Sequence, residues 1–246
     1  MNYEQMANNR LHLCGTIISE PVFSHEIYGE GFYEMFLSVE RLSEQKDILP
    51  ITISERLIDE YEIKIGSKIC FNGQFRSYNK LENGRSRLML TVFVRDIEEL
   101  NESKNPNLIY LAGYICKPTV YRTTPFSREI CDVLLAINRA YNKSDYIPCI
   151  AWGRNARFLK NMNVGDKVSI TGRIQSRTYQ KRCEDRVEEK VAYEVSISKI
   201  ALGENQELLG ELGDRVFSQA AAADETREHD IAPGSSDEFR YSNTES

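Results

Sequence analysis

The sequence predicts an all-β protein built from two tandem copies of one small barrel, and three observations carry that prediction. The first is an internal repeat. NRLHLCGTI from Asn9 is similar to NLIYLAGYI from Asn107, an offset of 98. FLSVERLSEQKDILPI (Phe36–Ile51) aligns with LLAINRAYNKSDYIPC at the same offset, matching Arg41 to Arg139, Asp47 to Asp145 and Pro50 to Pro148. IGSKICFNGQFRS (Ile65–Ser77) then aligns with VGDKVSITGRIQS at an offset of 99, pairing Gly66 with Gly165 and Gly73 with Gly172. The second observation is alternation: apolar and polar residues change places with period two over short stretches bounded by Gly, Pro and Asn. The third is that each copy holds a single short helical stretch. Five or six short strands with one helix between the third and fourth make a small Greek-key barrel.

In the first copy the strands are expected near Leu11–Ile18, Phe32–Arg41, Ile48–Ile53, Lys68–Phe75 and Arg85–Arg95, with the helix near Glu55–Tyr61. Gly29 and Gly31 ease a turn before the second strand. In the second copy a strand begins at Asp145, a helix runs from Asn155 to Met162, and NVGDK turns the chain into a strand that passes Gly172 and continues to Lys181. The joint NESKNPN (Asn101–Asn107) is short and polar, and Pro106 stiffens it. The expected domains are therefore 1–105, 106–202 and a tail, 203–246. Leu208, Leu209, Leu212 and Val216 are spaced for a short amphipathic helix. From Ala220 onward Ala, Ser, Asp, Glu and Gly predominate, which predicts a disordered acidic end.

Charge separates the copies. The net formal charge of the whole chain is −6, but residues 106–200 hold 16 Lys+Arg against 9 Asp+Glu, giving +7. Residues 1–105 carry −5 and residues 201–246 carry −8. Only the middle block is basic, and a basic block is the footprint of a polyanion partner. No apolar run approaches the length of a membrane span, and MNYEQMANNR has no basic-then-apolar signal pattern. The six cysteines form no CxxC pair and read as reduced thiols, which predicts a cytoplasmic protein. His12, His25 and His229 lie far apart, and neither a phosphate loop nor a zinc spacing is present. The sequence thus predicts no enzyme, no metal and no cofactor.

The candidate site lies in the second copy. Along DYIPCIAW, Tyr146, Ile150 and Trp152 point one way and Ile147, Cys149 and Ala151 the other. Along RIQSRTYQK, Arg173, Gln175, Arg177, Tyr179 and Lys181 share one parity. Rings of this kind stack bases while guanidinium and ammonium groups track phosphates, which is how single strands are held without reading sequence. Arg139, Lys143 and Arg154 are further candidate phosphate contacts. In the first copy Ser43, Ile48 and Ser54 stand at the positions of Tyr141, Tyr146 and Trp152. Only Gln74, Arg76, Tyr78 and Lys80 keep a weaker basic-aromatic strip there, and the second copy is expected to bind more tightly than the first.

DYIPCIAWG, the helix after it, VGDKVSITGRIQSRTY and the later EVSISKI resemble the OB-fold core of bacterial single-stranded DNA-binding proteins, collinearly from about Asn107 to Ile200. The resemblance implies a five-stranded OB-fold barrel for each copy. It places four base-stacking positions on Tyr141, Tyr146, Trp152 and Tyr179. It also implies single-stranded DNA as partner in replication, recombination or repair, association with the nucleoid, and a homodimer that assembles four barrels. Family members recruit replication or repair enzymes through an acidic tip; here the chain closes on RYSNTES, and DIAPGSSDEF (Asp230–Phe239) is the segment similar in composition. Two other functions fit the same residues: a protein-interaction adaptor of a primosome or mobile element that has kept the fold, and an RNA-binding OB protein.

Overall fold

A computed structural model describes residues 8–98, apart from 42, 44 and 83, and residues 107–212, apart from 184 and 185. The first copy runs β1 (Asn9–Ile17), β2 (Val22–Ile27), β3 (Glu30–Glu40), β4 (Lys46–Ser54), α1 (Glu55–Glu60), β5 (Lys68–Glu82) and β6 (Arg85–Glu98). The second repeats it with β7 (Asn107–Ile115), β8 (Val120–Thr123), β9 (Glu129–Asn138), β10 (Ser144–Trp152), α2 (Gly153–Lys160), β11 (Lys167–Cys183) and β12 (Arg186–Leu202). A short α3 (Gln206–Leu212) follows. Val216 and the expected disordered end lie outside the described residues. Among the described residues no helix is long and apolar enough to cross a membrane.

In each copy the sheet closes on itself. The order is β3–β4–β6–β5–β1, and β1 pairs back to β3; likewise β9–β10–β12–β11–β7, with β7 pairing back to β9. Closure puts one parity of every strand inside. Leu11, Leu13, Leu37, Leu49, Ile51, Ile53, Phe71 and Phe75 are therefore at most 1% exposed, and Ile109, Leu111, Leu135, Ile147, Ala151 and Ile170 fill the second barrel in the same way. Burying a large aliphatic or aromatic side chain stabilises by roughly 1.5–3 kcal/mol relative to leaving it in water, so this alternation holds each barrel shut. Short-range signals missed one hairpin strand in each copy: β2, whose six residues are all exposed and which pairs with β3, and β8, which pairs with β9.

Gly73 and Gly172 are where β5 and β11 shift register against β6 and β12. A Cβ there would stand 2.3 Å from the carbonyl oxygen of Phe93 and 2.2 Å from that of Ser196, so only glycine allows the two backbones to meet. Beyond these points β5 and β11 leave the barrel as arms. The Asn9 side chain accepts from Phe75 N at 3.0 Å and donates to Phe75 O at 2.7 Å. Asn107 does the same with Ile174 N and O at 2.9 and 2.7 Å. These two asparagines head the two repeats and satisfy the backbone groups that the departing arm exposes.

The copies share a sheet. β1 pairs antiparallel with β7, and Leu11 lies opposite Ile109, its own equivalent in the repeat. An approximate two-fold axis therefore passes between them. It sends each arm across to the other copy, where β5 meets β10 and β11 meets β4.

The cysteines require a correction. Cys14 and Cys70 lie directly opposite each other on β1 and β5, with Cα atoms 4.1 Å apart, and form a disulfide. Their separation of 56 residues hides a pairing that only the strand register creates. Cys116, Cys131 and Cys149 are free, and burial pushes each of these three thiols up from its ordinary value.

Candidate nucleic-acid interface

The outer face of the second barrel is built by β9, β10, β12 and β11. Across it Arg173, Ser196, Ile150 and Asp132 stand in register, one per strand. Neighbouring strands lie about 4.8 Å apart, so Arg173 and Ile150 are about 10 Å apart across β12. Trp152 follows Ile150 by two residues and is 41% exposed. Tyr146 is 42% exposed at the far end of the same strand face. At about 3.3 Å per residue the two rings are roughly 20 Å apart. Ile150, with the same parity, is buried.

Trp152 has an informative counterpart. In the first copy Ser54 is the N-cap of α1, its hydroxyl accepting from Leu57 N at 3.4 Å. Trp152 is the N-cap of α2 and makes no side-chain capping bond. The second copy thus gives up a cap, ordinarily worth about 1 kcal/mol, and gains an exposed indole.

Tyr179 and Arg177 stand apart from this pair. They ride on the β11 arm beyond Ser176, and Ser176 is docked on the first copy. Its N–H donates to Asp47 Oδ1 at 2.7 Å, and its hydroxyl lies 3.2 Å from the same oxygen. Asp47, fully buried, also takes Arg41 Nε at 2.8 Å and Nη2 at 2.6 Å. On the arm the Arg177 guanidinium sits 5.8 Å from the centre of the Tyr179 ring, with Nε 3.4 Å from Glu194 Oε1. Tyr179 is 39% exposed.

The other seam mirrors this one. Ser77 on the β5 arm donates its N–H to Asp145 Oδ1 at 2.8 Å, and its hydroxyl accepts from Tyr146 N at 2.7 Å. Arg76 and Tyr78, the residues on either side of Ser77, are thereby brought to the Tyr146 end of the second barrel. Here Arg139 Nη1 meets Asp145 Oδ1 at 3.1 Å. The sequence placed Arg139 among the phosphate contacts; the structure commits its charge to a buried carboxylate. Asp145 Oδ2 is buried and has no hydrogen-bond partner among the described residues.

The Arg76 guanidinium lies over Phe93, 3.9 Å from the ring centre, with Nε and Nη2 donating to Gln74 Oε1. Burial, and then the neighbouring charge of Arg139, push its guanidinium down to about 10, which still leaves it cationic at pH 7. Lys80, Lys143, Arg154 and Tyr141 are exposed, Tyr141 in the turn between β9 and β10 with a positive φ of 60°. Arg173 is half-buried and donates to Gln175 Oε1 at 3.3 Å. The Lys181 side chain lies outside what is described.

The first barrel has rings of its own, on positions the repeat alignment does not mark. His25 stacks on Phe32 with ring centres 5.2 Å apart, and Phe32 lies 5.7 Å from Phe93. Phe36, two positions beyond Glu34 on the same side of β3, is 44% exposed. The common parity of Phe32, Glu34 and Phe36 was the available signal, but the opposite parity, Tyr33, Met35 and Leu37, is apolar as well, so alternation on this strand does not separate the outer face from the inner.

Fold and face together define a two-barrel OB protein with exposed rings and guanidinium groups on one side. A family model described as the single-strand binding protein family matches residues 106–202. Single-stranded DNA-binding protein 1 of Streptococcus pyogenes serotype M18 (strain MGAS8232) is 33% identical over 88 residues, 33% of this chain and 68% of that protein. The single-stranded DNA-binding protein of Clostridium tetani (strain Massachusetts / E88) is 34% identical over 98 residues, 36% of this chain and 68% of its own length. Among solved structures, the wild-type single-stranded DNA binding protein from Thermus aquaticus superposes with a TM-score of 0.59 at 18% identity, covering 80% of this chain and 93% of that one. The chain belongs to the single-strand binding protein family. It spans 64% of the length of single-stranded DNA-binding protein 3 from Streptococcus agalactiae serotype V (strain ATCC BAA-611 / 2603 V/R) and 48% of single-stranded DNA-binding protein 1 from Staphylococcus aureus (strain COL).

Proposed function

We propose that the chain binds single-stranded DNA without sequence preference at its second barrel, in the service of replication, recombination or repair. The observation that carries this is the pairing of Tyr146 and Trp152, both half-exposed on one strand face of a block whose charge is +7. The names of its relatives support the choice of DNA. Trp152 and Tyr146 stack bases, and Arg173, Lys143 and Arg154 hold phosphates. At the seams the strand passes onto the arms, where Arg177 with Tyr179 on one side and Arg76, Tyr78 and Lys80 on the other extend the path. Both seams join residues of the two copies, so neither copy owns a complete path.

The test is a titration of the full chain with oligo-dT, oligo-rU and duplex DNA at several salt concentrations. Oligo-dT is expected to bind tightest, and log K to fall with log salt by about 0.7 per neutralised phosphate. Binding to duplex as tight as to oligo-dT would refute the reading.

A homodimer belongs to the same proposal. Its support is the family resemblance, in which two-barrel chains pair to assemble four barrels. Light scattering at micromolar concentration is expected to give twice the chain mass, and a monomeric mass would remove this part alone. Recruitment of replication or repair enzymes is assigned to the acidic residues after 203, on the same resemblance.

A further inference from the structure

We propose that Glu34 makes the first barrel's face selective for bases that present an exocyclic amine, cytosine, adenine and guanine, over thymine and uracil. The inference deepens the single-strand reading and rests on it. It starts from a difference between the copies. The equivalent of Glu34 on β9 is Asp132, and Arg122 neutralises it with Nη2 at 2.9 Å and Nε at 3.1 Å. In the first copy Ser24 stands in the place of Arg122. Its hydroxyl donates to Glu34 Oε1 at 3.0 Å, and the Tyr78 hydroxyl reaches the same oxygen at 3.3 Å. Both donors are neutral, so the carboxylate keeps its charge. Oε2 takes no hydrogen bond among the described residues.

This anion shares its face with two exposed rings, Tyr78 at 41% exposure, whose hydroxyl touches it, and Phe36 at 44%, two residues on along β3. A base stacked on either ring turns its hydrogen-bonding edge toward Glu34. Cytosine offers its N4 amine there, and a carboxylate is the natural acceptor for it. Guanine offers its ring N–H and N2 amine together. Thymine and uracil present two carbonyl oxygens flanking a single N–H, and an anion repels those oxygens. On the second barrel the equivalent carboxylate, Asp132, is already paired with Arg122. One barrel therefore holds any base, while its neighbour reads an edge.

The experiment compares oligo-dC with oligo-dT of equal length on the full chain at pH 8, by fluorescence anisotropy. The wild-type chain is expected to prefer oligo-dC by about five-fold, the lower end of what one side chain–base pair provides. E34Q keeps the size and the Tyr78 contact but loses the anion, and is expected to bring the ratio close to one. D132N is expected to leave the ratio as in the wild type. An unchanged ratio in E34Q overturns the proposal. So does an E34Q chain that binds both oligonucleotides more tightly by the same factor, because Glu34 would then only repel the backbone. A wild-type chain that binds neither oligonucleotide overturns the single-strand reading beneath it as well.

Discussion

Alanine at Tyr146 and Trp152 together is expected to weaken single-strand binding by about 2–6 kcal/mol, roughly 1–3 for each lost stack. The two losses are expected to add, because sites this far apart on a rigid strand share no partners. Both rings are only about three-fifths covered, so their removal opens no core cavity. Trp152 allows a sharper form of the test. Trp152→Ser restores the residue that caps α1 in the first copy, and a serine N-cap is worth about 1 kcal/mol. This variant is expected to melt at a higher temperature than the wild type while binding oligo-dT more weakly. Stability and binding moving in opposite directions separates a lost contact from a damaged fold. Thermal denaturation and an oligo-dT titration of the same preparation measure the two.

Asp47→Ala is expected to cost about 3–5 kcal/mol of stability, the range for removing one partner of a buried ion pair. Asp47 receives Arg41 through two nitrogens and Ser176 through its N–H, so alanine strands a guanidinium that is 19% exposed together with an N–H from the other copy. Asp145→Ala is expected to cost clearly less. Arg139 reaches Asp145 with one nitrogen at 3.1 Å and is 32% exposed, and one carboxylate oxygen is already without a partner. Urea denaturation of the two variants decides the point, and equal losses would show that the seams are energetically alike. The Asp47 variant also frees the arm that carries Arg177 and Tyr179. Its affinity for long oligonucleotides is therefore expected to fall by more than its affinity for short ones.

The barrels were legible in the sequence because their information is local or repeated. Period-two alternation names the inner residues, and the 98- and 99-residue offsets fix the copy number. Gly73 and Gly172 announce a close approach wherever they recur. Trp152 was legible for the same reason, since its parity against Ala151 and Cys149 leaves it only the outside. What was not legible depends on strands that meet from far along the chain. Ser176 and Asp47 are 129 positions apart and Cys14 and Cys70 are 56 apart, and neither pairing has a local signature. The pairing of Arg139 with Asp145 had a clue in the sequence. Arg41 with Asp47 and Arg139 with Asp145 keep one spacing in both copies, including the copy that lost Tyr146 and Trp152 for Ile48 and Ser54. A pair retained where the stacking rings are lost is structural before it is functional.

The arms also change the expected division of labour. Charge and ring content favour the second copy, and that asymmetry stands as a difference between faces. At the seams the copies meet: Tyr146 N is held by Ser77, between Arg76 and Tyr78 of the first copy, and Ile48 N by Ser176, next to Arg177 of the second.

The central claim is that a single strand lies on the face of β10. Trp152 is the only tryptophan of the chain and stands on that face, so its emission reports the contact without a label. Addition of oligo-dT to the free protein at low salt is expected to quench that emission saturably, with the signal recovering as salt displaces the strand. Saturating binding, seen independently by anisotropy, with Trp152 emission unmoved would place the strand elsewhere and contradict the claim.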